Sequence, residues 1–166
     1  MSRKRKVLRA LAVLFLVIQL VPFGRAHDNP PVGKEPAWDT VRTHELARRA
    51  CYDCHSNQVE WPWYSHVAPV SWLVQHDVDE AREHLNFSEW DKPQRHADDA
   101  AEEVAEGEMP LWYYALAHAE ARLSDGERRE LVAGLRVTMA RSPAGKGPHE
   151  GGEHGEGHEL EYGEDE

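Results

Sequence analysis

An all-α fold is expected from three observations. Apolar residues recur at helical spacing, as at Leu131, Leu135 and Met139. Ser124 and Glu127 form an S-x-x-E capping box just ahead of that run. No stretch sustains period-two alternation, so essentially no sheet is expected. The 166 residues suffice for one domain with a core of its own.

The elements follow in chain order. Arg3, Lys4, Arg5, Lys6 and Arg9 precede an apolar run from Ala10 to Phe23 that only Gln19 and Pro22 interrupt. Positive charge ahead of an apolar stretch holds the N-terminus in the cytoplasm and sends the remainder across a membrane. Residues 1–26 therefore read as a transmembrane or signal helix. The stretch Val7–Phe23 has 17 residues, the short limit for a span. A retained anchor is the favoured reading, and cleavage near the small residues Gly24 and Ala26 is the alternative. Residues 27–38 form a Pro-rich, semi-rigid linker.

A domain helix is expected from Asp39 into Cys54, capped by Asp39 or Thr40, with Val41, Leu46 and Ala50 buried. "EWPWYSHVAP" reads as an ordered loop. The next helix runs from Pro69 to Leu85, with Pro69 in its first turn. Asn86 or Ser88 caps a short turn. Helices over Pro93–Glu106, Leu111–Arg122 and Ser124–Ala140 complete a domain over residues 39–141. Residues 142–166 are rich in Gly, Glu and His and read as a disordered acidic tail. His149, His154 and His158 lie there among carboxylates, a weak divalent-metal candidate beside the plainer role of a solvating tail.

Charge narrows the partners. The chain carries 30 acidic against 19 basic residues, and beyond residue 26 the net charge is −17. Phosphate contacts to nucleic acid are excluded on that balance.

The chain's two cysteines, Cys51 and Cys54, stand directly before His55 in "CYDCH". A disulfide between them would close a loop too short to constrain much chain. A redox dithiol is expected beside a βαβ pattern, which is missing. Structural zinc needs four ligands, usually two spaced pairs, and there is no second cysteine pair. C-x-x-C-H remains as the signature of covalent haem c attachment. Residues i and i+3 are neighbours on a helical turn, so two sulfurs can meet two vinyl groups along one porphyrin edge. His55, at i+4 from Cys51, can reach the iron.

The second axial position decides much of what haem iron does. Met109 stands in "GEMPLWYY", and Pro110 places it in a loop or at a helix start, free to point into a pocket. Met139 has helical core spacing and is set aside. Among His66, His76, His84, His96 and His118, the principal rival to Met109 is His76. Trp63 and Trp72 are chosen from a dense aromatic set as pocket walls, and Arg48, Arg82 and Trp61 as partners of the propionates.

The runs "ACYDCHSNQVEWPWYSHVAPVSWLVQHDVDEAREHLNFSEW" and "GEMPLWYYALAHAEARLSDGERRELVAGL", with the approach "VIQLVPFGRAHDNPPV", resemble the haem-binding domain family of exported, usually membrane-anchored bacterial proteins. The resemblance spans about residues 15–140. It implies a cytochrome c-like helical domain around one haem, with His55 proximal, and it favours Met109 as distal ligand. It implies a location at the periplasmic side of the inner membrane, or in the soluble periplasm if the signal is removed.

A His/Met iron suits electron transfer, and an acidic face suits docking of a basic redox partner protein. The alternative is a haem peroxidase or a gas or redox sensor with an open or displaceable distal ligand, in which His66 or His76 would serve as acid or base. A haem-bearing assembly module for a membrane redox complex is a third reading.

Overall fold

The computed structural model describes residues 2–145, and every regular element among them is helical, apart from one isolated bridge between Pro93 and Gly145. The helices are α1 (Arg3–Ile18), α2 (Val41–Ala50), α3 (Tyr52–His55), α4 (Val70–His84), α5 (Ala100–Glu106), α6 (Trp112–Ala117) and α7 (Asp125–Arg141). Short 3-10 turns cover Trp63–His66 and Ala119–Ala121. His149, His154 and His158 lie outside the described residues.

Thr40 caps α2 by accepting from the Thr43 amide at 3.1 Å. The buried residues of α2 are Thr43, Leu46, Ala47 and Ala50, at i, i+3, i+4 and i+7. Val41, expected inside, is 77% exposed because it lies about 200° around the helix from Thr43. The long helix expected over residues 39–54 breaks at Cys51, whose φ of −126° leaves the helical region. A fresh turn, α3, starts there.

The helix expected from Pro93 begins only at Ala100. Before it, the chain turns, tied back by the His96 amide to the His84 carbonyl at 3.2 Å. Gln94 donates to the carbonyls of Glu89 and Lys92 and accepts from the Asn86 amide, and His96 bonds Asp99. The helix expected over Leu111–Arg122 stops at Ala117, where His118 is extended, and resumes as a 3-10 turn. The last helix starts as expected, with both bonds of the Ser124–Glu127 capping box formed.

The core joins Leu46, Ala47 and Tyr52 to Leu85, Phe87, Trp90, Ala101 and Val104, and to Leu131, Leu135 and Met139 of α7. Phe87 is its hub. Its ring stacks on Tyr52 at 5.6 Å and Trp90 at 6.1 Å, and Trp38 leans on it at 5.1 Å.

Residues 27–38 are not a free spacer. Asn29 exchanges bonds with Val59, Gly33 donates to Ser88, and Trp90 donates to Lys34, so this strap lies along the domain. The Trp90 indole donates to the Ser142 carbonyl at 2.7 Å, and Gly145 donates to Trp90, so the domain reaches past Arg141 to residue 145.

No helix among the described residues is long and apolar enough to cross a membrane. α1 has 16 residues, about 24 Å at 1.5 Å each, against a hydrocarbon core of about 30 Å. It ends at Ile18 because the chain beyond Gln19 turns onto the domain, through bonds between Gln19 and Ala68.

Helices α2 and α7 cross where Gly134 meets the buried Thr43. A Cβ at Gly134 would lie 2.1 Å from Thr43 Oγ1 and 2.8 Å from its Cβ. Gly134→Ala is expected to destabilise the fold by about 1–3 kcal/mol through overpacking. That outcome opposes the roughly 1 kcal/mol that alanine gains over glycine within a helix. Thermal or urea unfolding measures the sign.

Candidate functional site

The attachment motif is a single tight turn. The Cys51 carbonyl accepts from the Cys54 amide at 3.1 Å and the His55 amide at 2.9 Å. His55 Nδ1 lies 2.9 Å from the Leu85 carbonyl. A carbonyl can only accept, so Nδ1 carries the proton and Nε2 keeps its lone pair. That is the tautomer a metal-ligating histidine needs, held by a backbone partner. Burial lowers the His55 pKa and keeps the ring neutral.

The same burial pushes the Cys51 and Cys54 thiols up to about 12. Reactive or zinc-binding cysteines sit where thiolate is favoured. These do not.

The turn faces a cleft made of two adjoining cavities of about 470 and 330 Å³, each in the range of small-molecule sites. Cys51, His55 and Met109 line both, with Ala50, His84 and Pro110, and Cys54 lines the larger. Val59, Val70, Leu73, Val74, Val78 and Leu111 make the larger one apolar. Leu85, Phe87, Val104 and Leu135 do the same for the smaller. Two thiols, an imidazole with a free Nε2 and a thioether on one apolar cleft are the donor set that a covalently attached haem with axial His and Met requires.

Met109 reaches the cleft from the end of α5. Gly107 adopts φ 87°, a left-handed conformation that glycine alone enters freely. The amides of Gly107, Glu108 and Met109 all converge on the Glu103 carbonyl. Met109 is half-buried against the core. Beyond it, α6 is tethered by its tyrosines. Tyr113 donates to Asp77 on α4 at 3.0 Å, and Tyr114 donates to Asp53 within the C-x-x-C turn at 2.7 Å. Tyr114 also stacks on His118, which is bonded to Tyr64.

The other expected site residues are placed elsewhere. His76 is exposed and pairs with Glu80 at 3.4 Å. His66 is exposed and packs edge-on against His27. Trp63 is 78% exposed, and neither it nor Trp72 lines the cleft. Arg82 does not line it either: it donates to the carbonyls of Ser56 and Asp28 and to Asn29 Oδ1, bracing the turn against the strap. Arg48 covers the Tyr52 ring at 5.2 Å and bonds Gln58, while Trp61 stacks on His27.

Helical geometry explains the placement. The positions of α4 on the cleft include Val70, Leu73, Val74, Asp77, Val78, Ala81 and His84, a stripe at i, i+3, i+4 spacing. Trp72, His76 and Arg82 fall off that stripe. His84 is on it, and the stripe was the available signal. Tyr64, Tyr113 and Tyr114, with Asp53 and Asp77, line the cleft too, though nothing in their spacing announces the bonds between them.

The haem-binding domain model matches residues 13–136, about three-quarters of the chain, so the protein belongs to the haem-binding domain family. It is a haem-binding protein with an all-α fold. No curated protein and no solved structure matches the chain.

Burial and the Asp77 carboxylate push the Tyr113 hydroxyl up to about 12 from an ordinary 10, and burial and Asp53 raise Tyr114 as well. With folded-state values above the unfolded ones, the unfolded chain loses these protons first. The stability Tyr113 contributes is complete below about pH 10 and is lost as pH climbs through about 12, and the Tyr114 contribution falls in the same direction. Alkaline unfolding is therefore expected to steepen over that window. The double variant Tyr113→Phe, Tyr114→Phe should show a flatter stability profile there, measured by urea titrations at stepped pH.

Proposed function

We propose that this chain is an exported mono-haem c-type cytochrome that transfers electrons at the periplasmic side of the membrane, held there through its N-terminal helix. The observation that carries the reading is the convergence of Cys51, Cys54, His55 and Met109 on one apolar cleft. Cys51 and Cys54 would hold haem through thioethers, His55 Nε2 would take the proximal position and Met109 the distal one.

Bound haem supplies one-electron iron chemistry. The chain's own residues do the rest. The Leu85 carbonyl keeps Nε2 of His55 aimed and unprotonated. The apolar walls exclude water, and a thioether ligand raises the potential relative to a second imidazole. If His55 and Met109 both hold the iron, no substrate site on it is needed. Its acidic body suits a basic redox partner, since the net charge beyond residue 26 is −17.

The deciding measurement is the visible and near-infrared spectrum of the full chain, oxidised and reduced, with and without carbon monoxide. A low-spin spectrum with the methionine-to-iron band and no carbon monoxide response is expected. A high-spin iron that binds carbon monoxide would overturn the electron-transfer reading and favour the peroxidase or sensor alternative. Met109→Ala should abolish the methionine band and lower the potential; persistence of both would reject Met109 as ligand. The double variant Cys51→Ala, Cys54→Ala should release all haem under denaturing conditions, where the unaltered chain retains it.

A further inference from the structure

Three runs stand out in a chain so rich in charge. Residues 10–24, 61–76 and 109–119 contain no Asp, Glu, Lys or Arg, and they are the longest such runs in the sequence. The fold brings them together. Gln19 makes a two-point bond with the Ala68 backbone, Nε2 donating to its carbonyl at 2.9 Å and Oε1 accepting from its amide at 3.0 Å. Gly24, at φ +75°, lies so close to α4 that a Cβ there would sit 2.5 Å from the Ser71 carbonyl oxygen. His27 donates to the Ser65 carbonyl at 3.0 Å and stacks on Trp61 at 4.4 Å. The third run joins the second through the bond between Tyr64 and His118.

Large apolar side chains that do not line the cleft are exposed on all three runs: Phe23, Trp63, Trp112 and Leu116, with Trp63 and Trp112 exposed by more than three-quarters. From Ala10 to Ile18 α1 is apolar all round, and no residue of the helix is buried. A helix apolar all round requires an apolar surrounding, and a contiguous exposed apolar face marks an interaction site.

We infer that this exposed apolar surface seats the haem domain on the lipid surface, with Trp63 and Trp112 in the headgroup region and α1 leading into the bilayer. The inference rests on the membrane-held reading above and adds an orientation to it. Continuity with α1 identifies lipid as the occupant, because the face begins where that helix ends. Tryptophan is enriched at the depth of the headgroups. The bonds of Gln19 and His27 and the close approach of Gly24 to α4 make the approach a rigid bolt. Val70 and Leu73 of the second run line the haem cleft, so its mouth is held at the same surface.

The test uses the full haem-loaded chain in vesicles of phosphatidylcholine and phosphatidylglycerol. The vesicles carry a lipid with a photoreactive diazirine near the glycerol end of one acyl chain, and adducts are mapped by peptide mass spectrometry. Adducts on residues 61–76 and 109–119, several-fold above those on α7, are expected. Adducts confined to residues 7–23 on a vesicle-bound chain would overturn the orientation and leave the membrane-held reading standing. A chain that stays in the supernatant without adducts would overturn both. Gly24→Ala, with its haem spectrum unchanged, should keep adducts on residues 7–23 and lose most of those on 61–76. Retention of the 61–76 adducts in that variant would overturn the rigid bolt.

Discussion

The candidate haem cleft depends on one clamp, the pairing of His55–Asn57 with Leu85–Ser88. The His55 ring donates to the Leu85 carbonyl, the Phe87 amide donates back to the His55 carbonyl at 2.8 Å, and the Asn57 amide donates to Ser88 Oγ. Asn86 closes the arrangement, donating to Asn57 Oδ1 and accepting from the Ser88 amide. Asn57, Asn86 and Ser88 are buried, where an unpaired polar group would cost about 1–3 kcal/mol. The clamp thus satisfies its own members while it sets the tautomer and aim of the one imidazole the site relies on. Phe87 sits at the same point and carries the aromatic core, so the geometry of the ligand and the packing of the domain share an origin.

The opposite wall is held more lightly. Met109 is delivered by the glycine turn that ends α5, and side-chain bonds from α6 hold the wall beyond it. Its tyrosines tie it to Asp77 and Asp53, which lie on α4 and in the C-x-x-C turn. The two sides of the cleft therefore meet through hydrogen bonds to half-buried carboxylates more than through apolar burial. Such bonds are directional and keep Met109 in register with His55, yet they contribute less than core packing.

The N-terminal third joins this frame more closely than its composition implies. Proline content alone describes a stiff spacer, but the strap over residues 29–34 is tied by Asn29 and Asn57 side-chain bonds to residues 57–59 and by backbone bonds to residues 88–90. Arg82, chosen from the sequence as a partner for propionates, is the side chain that locks the strap against Ser56. A guanidinium with three nearby oxygen acceptors is as well suited to backbone as to a ligand, and only the fold distinguishes the two.

What was legible in the sequence was local. The C-x-x-C-H turn, the capping box at Ser124 and the loop posture of Met109 before Pro110 depend on neighbours within a few residues, and there the expectations and the structure agree. Tertiary context decided the rest. Trp63 and Trp72 were indistinguishable by type from core aromatics, since rotation about a helix or a turn, set by distant partners, determines which way each faces. Residues 93–99 carry helix-compatible residues but are held as turns by Gln94 and His96. The pairing of residues 55–57 with 85–88 joins segments some thirty positions apart through ordinary Asn and Ser residues. Sequence by itself picked out the candidate haem-holding atoms. Only the tertiary structure decided which of them share a cleft, because that depends on closing long loops, and the spacing of residues along the chain carries no record of those contacts.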